Sequence, residues 1–223
     1  KPIATSSCSD GDLELLRNYA KTVPVHVGYL LRFDPIANHL RYILANRLHS
    51  NLVDIDLYCG SQLSTWRNGS LENTVSTSRK LGGGVVHELS HEIDLARYLF
   101  GELRLLSSHY HQSFYNDYDI EDACTMHTLT DSEIPMTIRI NFCSEPARRL
   151  LHIRCSKEEF IWDLISSTLT YNKSSSSITK RFRGSKEQRH KAQLLHTFAS
   201  MCGDCNPHCS VDDGIATLKI IRE

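Results

Sequence analysis

What the sequence lacks narrows its function first. Its eleven glycines form neither G-x-G-x-x-G nor G-x-x-x-x-G-K-[ST], so the common backbone cradles for a pyrophosphate or a triphosphate are not encoded. No G-x-S-x-G occurs either, which removes the strained nucleophile elbow of the α/β-hydrolases. An excess of basic residues is also missing: 25 Lys and Arg stand against 26 Asp and Glu, for a net charge of −1. Nucleic acid is therefore not an expected partner. No apolar run reaches the roughly 20 residues of a membrane span. The opening Lys1-Pro2-Ile3-Ala4-Thr5 has no apolar h-region. Neither membrane insertion nor secretion is expected, and a cytoplasmic location is. The first residue is not Met, so a processed chain or part of a longer one is expected.

Cysteine is present but not as a scaffold. Eight residues, at 8, 59, 124, 143, 155, 202, 205 and 209, are spread over 223 positions. That density is far below a disulfide framework. Several lie in apolar runs, where Cys acts as a small hydrophobe, and a reducing compartment fits. The Asn-x-Ser sequons at Asn68 and Asn172 read as chance. With 40% hydrophobic and 23% charged residues, the chain has the balance of a globular domain with a real core.

Local patterning gives the elements. Leu13, Leu16 and Ala20 share a face of a predicted helix over 10–22, with Ser9 or Asp10 as its cap. Val23, Val25 and Val27 alternate as a short strand would. Asp34-Pro35 reads as an N-cap and an N1 proline, followed at helical spacing by Ile36, Leu40, Ile43, Leu44 and Leu48. Val53, Ile55 and Leu57 predict a half-buried strand. Residues 60–81 read as a long loop, and loops of that length are commonly functional. Gly82-Gly83-Gly84 should open one helix running to Phe100, closed by Gly101. Strands are predicted over 103–114, 122–130, 135–143, 149–156, 159–164 and 167–172, then a flexible tip at Ser174–Ser177. Two helices, about 186–200 and 211–222, end the chain, the last with a capping box at Ser210-x-x-Asp213. The fold class is α+β: one large, mainly antiparallel open sheet with helices packed on one face.

Candidate chemistry concentrates in GGGVVHELSHEIDLARYLFG, residues 82–101. On a single helix His87, His91 and Asp94 would line one face. Glu88 and His91 would be neighbours three residues apart. Glycines allow close backbone approach before the helix begins. Together they outline a site with a histidine and a carboxylate at a helix start. A solvated helix face with two incidental histidines explains the same letters. His87-Glu88-Leu89-Ser90-His91 also matches H-E-x-x-H, in which two histidines hold zinc and a glutamate activates water. The metzincin extension is not met, since Asp94 and Arg97 stand where Gly and a third His belong. Cys202-x-x-Cys205-x-x-His208-Cys209 suggests either a second metal site or simply a cysteine-rich loop.

The segment resembles the central signature of the Gfo/Idh/MocA oxidoreductases: a glycine triplet, a carboxylate, a histidine, an aspartate and an aromatic helix end. Gly82–Gly84, Glu88, His91, Asp94 and Tyr98–Gly101 fill those places, with Glu88 where the family usually has Asp. Lys1-Pro2 is similar to the end of its Glu-Lys-Pro motif, and Gly28-Tyr29-x-x-Arg32-Phe33-x-Pro35 to its Gly-Tyr-x-x-Arg-Phe-x-Pro stretch. Ser61-x-Leu63-x-x-Trp66-Arg67 and Asp212-Asp213-Gly214 resemble two further family segments. The resemblance implies that residues 1–223 are the C-terminal substrate-binding and oligomerisation domain, of glucose-fructose-oxidoreductase type. The N-terminal Rossmann domain that holds NAD or NADP would lie outside this chain, leaving the chain alone inactive. It implies hydride transfer between nicotinamide and a secondary alcohol of a sugar, sugar derivative or cyclitol. His91 would be the base, with Lys1 and Glu88 beside it. Arg32, Trp66, Arg67, Lys80 and His87 would wall the substrate cleft, and Lys1 and Pro2 would face the cofactor. A dimer or tetramer formed through the sheet is the implied assembly. A non-catalytic sugar-binding or dimerisation module is the other reading the resemblance leaves open.

Overall fold

The structure, a computed structural model, describes residues 2–48, 51–66, 71, 72 and 74–223. The predicted Lys1, Arg67 and sequon Asn68 lie outside the described residues. Helix α1 (Asp10–Ala20) starts at Ser9, whose hydroxyl accepts from Asp12 N while the Asp12 carboxylate accepts from Ser9 N. That is a reciprocal cap. Helix α2 (Pro35–Ile43) has Asp34 as its cap and Pro35 in the first turn, as its sequence requires. Helices α5 (Lys186–Met201) and α6 (Val211–Arg222) each carry a capping box, on Ser185 and Ser210. No helix among the described residues is long and apolar enough to cross a membrane.

Eight strands form one sheet: β1 (Leu52–Gly60), β2 (Leu103–His111), β3 (Ala123–Thr130), β4 (Pro135–Asn141), β5 (Arg148–Cys155), β6 (Glu158–Asp163), β7 (Thr168–Lys173) and β8 (Ser176–Arg181). Their order is β2-β3-β4-β1-β5-β6-β7-β8. Every pairing is antiparallel except β1 with β4. Alternation explains the two faces. Met136, Ile138 and Ile140 of β4 sit opposite Ile55, Leu57 and Cys59 of β1, and all six are buried under the helices. The other face is polar. Arg139 meets Asp56 at 3.2 Å, Arg154 bridges Asp54 and Asp56, and His152 meets Glu159 at 2.6 Å.

Three predictions are corrected. Residues 23–28 make no strand. Val27 N donates to Cys209 O at 3.1 Å, Pro24 has no N–H to offer, Val25 and Val27 pack into the small clusters beside α1 and α6, and Val23 is exposed. β8 replaces the expected tip. Its residues Ser-Ser-Ile-Thr-Lys-Arg are all exposed, so no buried alternation announces it, and its ladder with β7 alone defines it. Third, the helix after the glycines is two: α3 (Val85–Glu88) and α4 (Ser90–Phe100), broken at Leu89 with φ −99° and ψ 20°. At the break Glu92 N donates to Leu89 O at 3.0 Å, a tight turn that opens α4, while Glu121 takes the first free N–H groups of α3. Val85 N donates to Glu121 O at 3.2 Å and Val86 N to its carboxylate at 3.3 Å.

One acidic residue staples the turn before β3. Asp122 Oδ2 accepts from the N–H groups of Ser113, Phe114 and Tyr115 at 2.6–3.0 Å. Burial works against its charge, but the three donors prevail and its pKa lies below the ordinary value. A carboxylate with a depressed folded pKa contributes stability above its unfolded pKa, about 3.9. That contribution is lost as pH falls from there through the folded value. Asp122→Asn should cost about 1.5–3 kcal/mol at neutral pH and flatten the acid limb of the stability curve. Identical acid limbs in urea titrations of the two proteins would rule this out.

Candidate active site

The turn Arg79–Leu81 delivers the chain to the glycine triplet. What these glycines approach is this chain itself. A Cβ on Gly83 would lie 2.0 Å from Val75 O, and one on Gly84, whose φ is +102°, 2.3 Å from the Glu121 carboxylate. Their lack of side chains lets Ser76 and Glu121 close on the start of α3. Ser76 Oγ donates to Glu88 Oε1 at 2.7 Å. Ser6 Oγ lies 2.8 Å from His87 Nε2. His87 borders a cavity of about 250 Å³ with Ser6, Arg79, Gly83, Tyr110 and Glu121. Burial lowers the His87 pKa, and the nearby Arg79 adds to this against the pull of Glu121.

Helix α4 is buried along its whole length with one exception. Ten of its eleven residues are buried, and His91 in the first turn remains partly open, its side chain 17% exposed. His91 Nε2 lies 3.3 Å from Glu92 Oε2. The Glu92 carboxylate in turn accepts from Arg149 of β5, Nε at 2.5 Å and Nη2 at 3.0 Å. Burial alone would raise the Glu92 pKa, yet Arg149 and His91 bring it below the usual value. Cys59, opposite Arg149 in the β1–β5 register, also touches this carboxylate, and burial pushes its thiol pKa well up.

The break at Leu89 separates residues expected to stand on one helix face. His87 is committed to Ser6, Glu88 to Ser76 and His91 to Glu92. The i, i+4 geometry that H-E-x-x-H needs for zinc is not formed by a continuous helix. Asp94 does not join His91 either. It binds Arg32, Nη2 to Oδ1 at 2.7 Å and Nε to Oδ2 at 3.0 Å. Arg32, expected to wall the cleft, is thus a buried structural cation, 4% exposed, with Nη1 on His208 O and Asp213 Oδ1 3.2 Å away. The cysteine-rich loop also disperses. Cys205 Sγ lies 3.8 Å from the His196 ring, Cys209 Sγ points at Asp94, and Cys202 is exposed. Among the described residues no three His, Cys, Asp or Glu are grouped to hold a metal ion.

Trp66 is 36% exposed, has its ring edge-on to Phe142, and donates Nε1–H to Ser61 Oγ at 2.7 Å. Lys80 is exposed on its turn and Pro2 is half-buried. Sequence reading passed over Glu92, Arg149, Ser76 and Glu121. Arg149 had a legible signal: it precedes Leu151 and Ile153 on the inward face of a strand, where a charge is out of place without a partner.

Comparison with known proteins adds to this geometry. A profile of the GFO/IDH/MocA C-terminal domain matches residues 59–161, a span that contains the glycine triplet, Glu88, His91 and Arg149. No curated protein sequence matches. Among solved structures, levoglucosan dehydrogenase in complex with NADH superposes with a TM-score of 0.84 at 13% identity, over 99% of this chain and 68% of that one. UDP-N-acetylglucosamine 3-dehydrogenase from Acidithiobacillus ferrooxidans gives 0.75 at 14% identity, over 99% and 66%. An oxidoreductase from Agrobacterium radiobacter in complex with NAD+, L-tartaric acid and magnesium gives 0.76 at 12% identity, over 95% and 65%. The chain spans about two thirds of the length of these proteins. Identities this low show a shared fold.

Proposed function

We propose, from the premise that residues 59–161 are a GFO/IDH/MocA C-terminal domain, that this chain is the substrate-holding part of an NAD(P)-dependent oxidoreductase. Its substrate is a secondary alcohol of a sugar, a sugar derivative or a cyclitol. One observation carries the reading: His91 is the single open residue of an otherwise buried helix, placed at its first turn just past the glycine triplet. Histidine side chains are suited to reversible proton transfer. Glu88 is oriented by Ser76 and is placed to accept from a neighbouring sugar hydroxyl. His87, Trp66, Arg67 and Lys80 are the remaining candidates for the cleft wall.

The nicotinamide supplies the hydride acceptor or donor. The sequence has no glycine-rich strand-to-helix turn for its pyrophosphate, so this chain contributes to the reacting end alone, through Lys1 and Pro2. The polar outer face of the sheet is the surface we assign to contacts between copies, as a dimer or tetramer.

The full-length protein, presented with hexoses, nucleotide sugars, uronic acids and inositols and either NAD+ or NADP+, should reduce the nicotinamide with at least one of them. His91→Asn should lower kcat about 10²- to 10⁴-fold with KM little changed. No turnover with any member would sink the reading, and an unchanged kcat would remove His91 from it. Sedimentation velocity on the same preparation checks the assembly, which a lone monomer would refute.

A further inference from the structure

The Glu92–Arg149 pair is one of the least accessible ion pairs in the chain, and neither residue belongs to the site as sequence reading drew it. Glu92 is fully buried on α4. Its carboxylate receives two donors from the Arg149 fork and faces the His91 ring with the oxygen that accepts from Nη2. One carboxylate therefore joins a strand on the floor of the fold to the open histidine above it. A fork-to-carboxylate pair fixes orientation as well as charge. Burying such a pair gives little net stability compared with apolar side chains, so its place beneath His91 calls for a use.

We infer that Glu92, clamped by Arg149, is a positioning residue that sets the ring orientation and proton affinity of His91. This rests on the role given to His91 above. The groups that bear on the carboxylate are Arg149 from β5, Cys59 from β1 and His91 itself. Glu88, across the Leu89 break, has its carboxylate on Ser76. Arg149 tempers the carboxylate. With Arg149 in place, His91 sees a neutralised partner; without it, His91 would see a bare anion. Removing Glu92 instead leaves His91 near a guanidinium that has lost its direct carboxylate partner and keeps only the more distant Asp34. The two single changes must therefore move His91 in opposite directions, which a merely structural role would not do.

Ring-nitrogen NMR titration of this chain reads the effect directly, with His91 assigned by the signal lost in His91→Asn. Glu92→Gln should lower the His91 pKa by about 1 unit or more, and Arg149→Met should raise it by a similar amount. Arg149→Lys, which keeps a cation, should stay near the parent value. If the single variants do not fold, the charge-free pair Glu92→Gln with Arg149→Met is titrated instead. It should show a lowered His91 pKa, because the carboxylate is the member in contact with the ring. An unmoved His91 in folded variants, or shifts of one sign in both singles, overturns the inference. The titration needs no turnover. Shifts as stated alongside a full-length protein that transfers no hydride would keep the inference and discard the dehydrogenase reading.

Discussion

Asp94→Asn will lower the unfolding free energy in urea by about 3–5 kcal/mol, and Arg32→Met by a similar amount, each measured as a shift in midpoint at constant slope. The pair lies at the centre of the helical layer with side chains 5% and 0% exposed. Removing Asp94 leaves a guanidinium that cannot lose its proton in a site closed to water. Its remaining partners are the His208 carbonyl and Asp213, whose side chain is 33% exposed. Removing Arg32 strands a carboxylate whose further contact is the Cys209 thiol at 3.9 Å. The double variant Arg32→Met with Asp94→Leu should recover much of the loss, since both desolvated charges disappear together. Losses that simply add, or singles within 1 kcal/mol of the parent (roughly the scale of an exposed pair), would show that the site is wetter than the structure has it.

Gly84→Ala is the second large effect, expected at about 2–5 kcal/mol from the sum of a left-handed backbone and an overpacked contact. Its Cβ would meet the Glu121 carboxylate at 2.3 Å, and Glu121 cannot simply retreat because it holds the first two N–H groups of α3. Gly83→Ala meets the backbone oxygen of Val75 at 2.0 Å, so the loop itself must move, at a cost of about 3 kcal/mol or more. Gly11→Ala is the control. Its Cβ meets only Ser9 Oγ at 3.7 Å, and in the first turn of α1 it should be neutral or stabilising. Thermal melts that rank Gly11, Gly83 and Gly84 equally would contradict the packing described here.

These cases also show where the sequence was legible. The caps on Ser9, Asp34 and Ser210 were readable because they are local: a side chain satisfies backbone groups two or three residues away. Seven strands, β1 to β7, were readable, most clearly β1 and β3 to β6, where one face is buried and imprints alternation. β8 left no such imprint. The layer architecture followed from the element order. The site was less legible. The glycine triplet, Glu88 and His91 stood out as a cluster, and in the structure His91 is partly open, its side chain 17% exposed. The break at Leu89 could not be read, because nothing in Val-Val-His-Glu-Leu-Ser opposes a continuous helix. What holds the start of α3 is Glu121, more than thirty positions downstream. Arg32 resembled a cleft residue for the same reason. Its true partners, Asp94 and Asp213, are distant in sequence and close only once α4 and α6 have packed.

β8 has a further consequence. A sheet ends where its last strand offers a row of backbone groups with no neighbour, and such a row invites another chain to extend it. Here that row belongs to a six-residue strand with no buried side chain, finishing in Lys180 and Arg181. A second copy adding itself in antiparallel register would set Lys180 and Arg181 opposite serines of its partner and gain little apolar cover in return. The edge thus offers little return for extending the sheet.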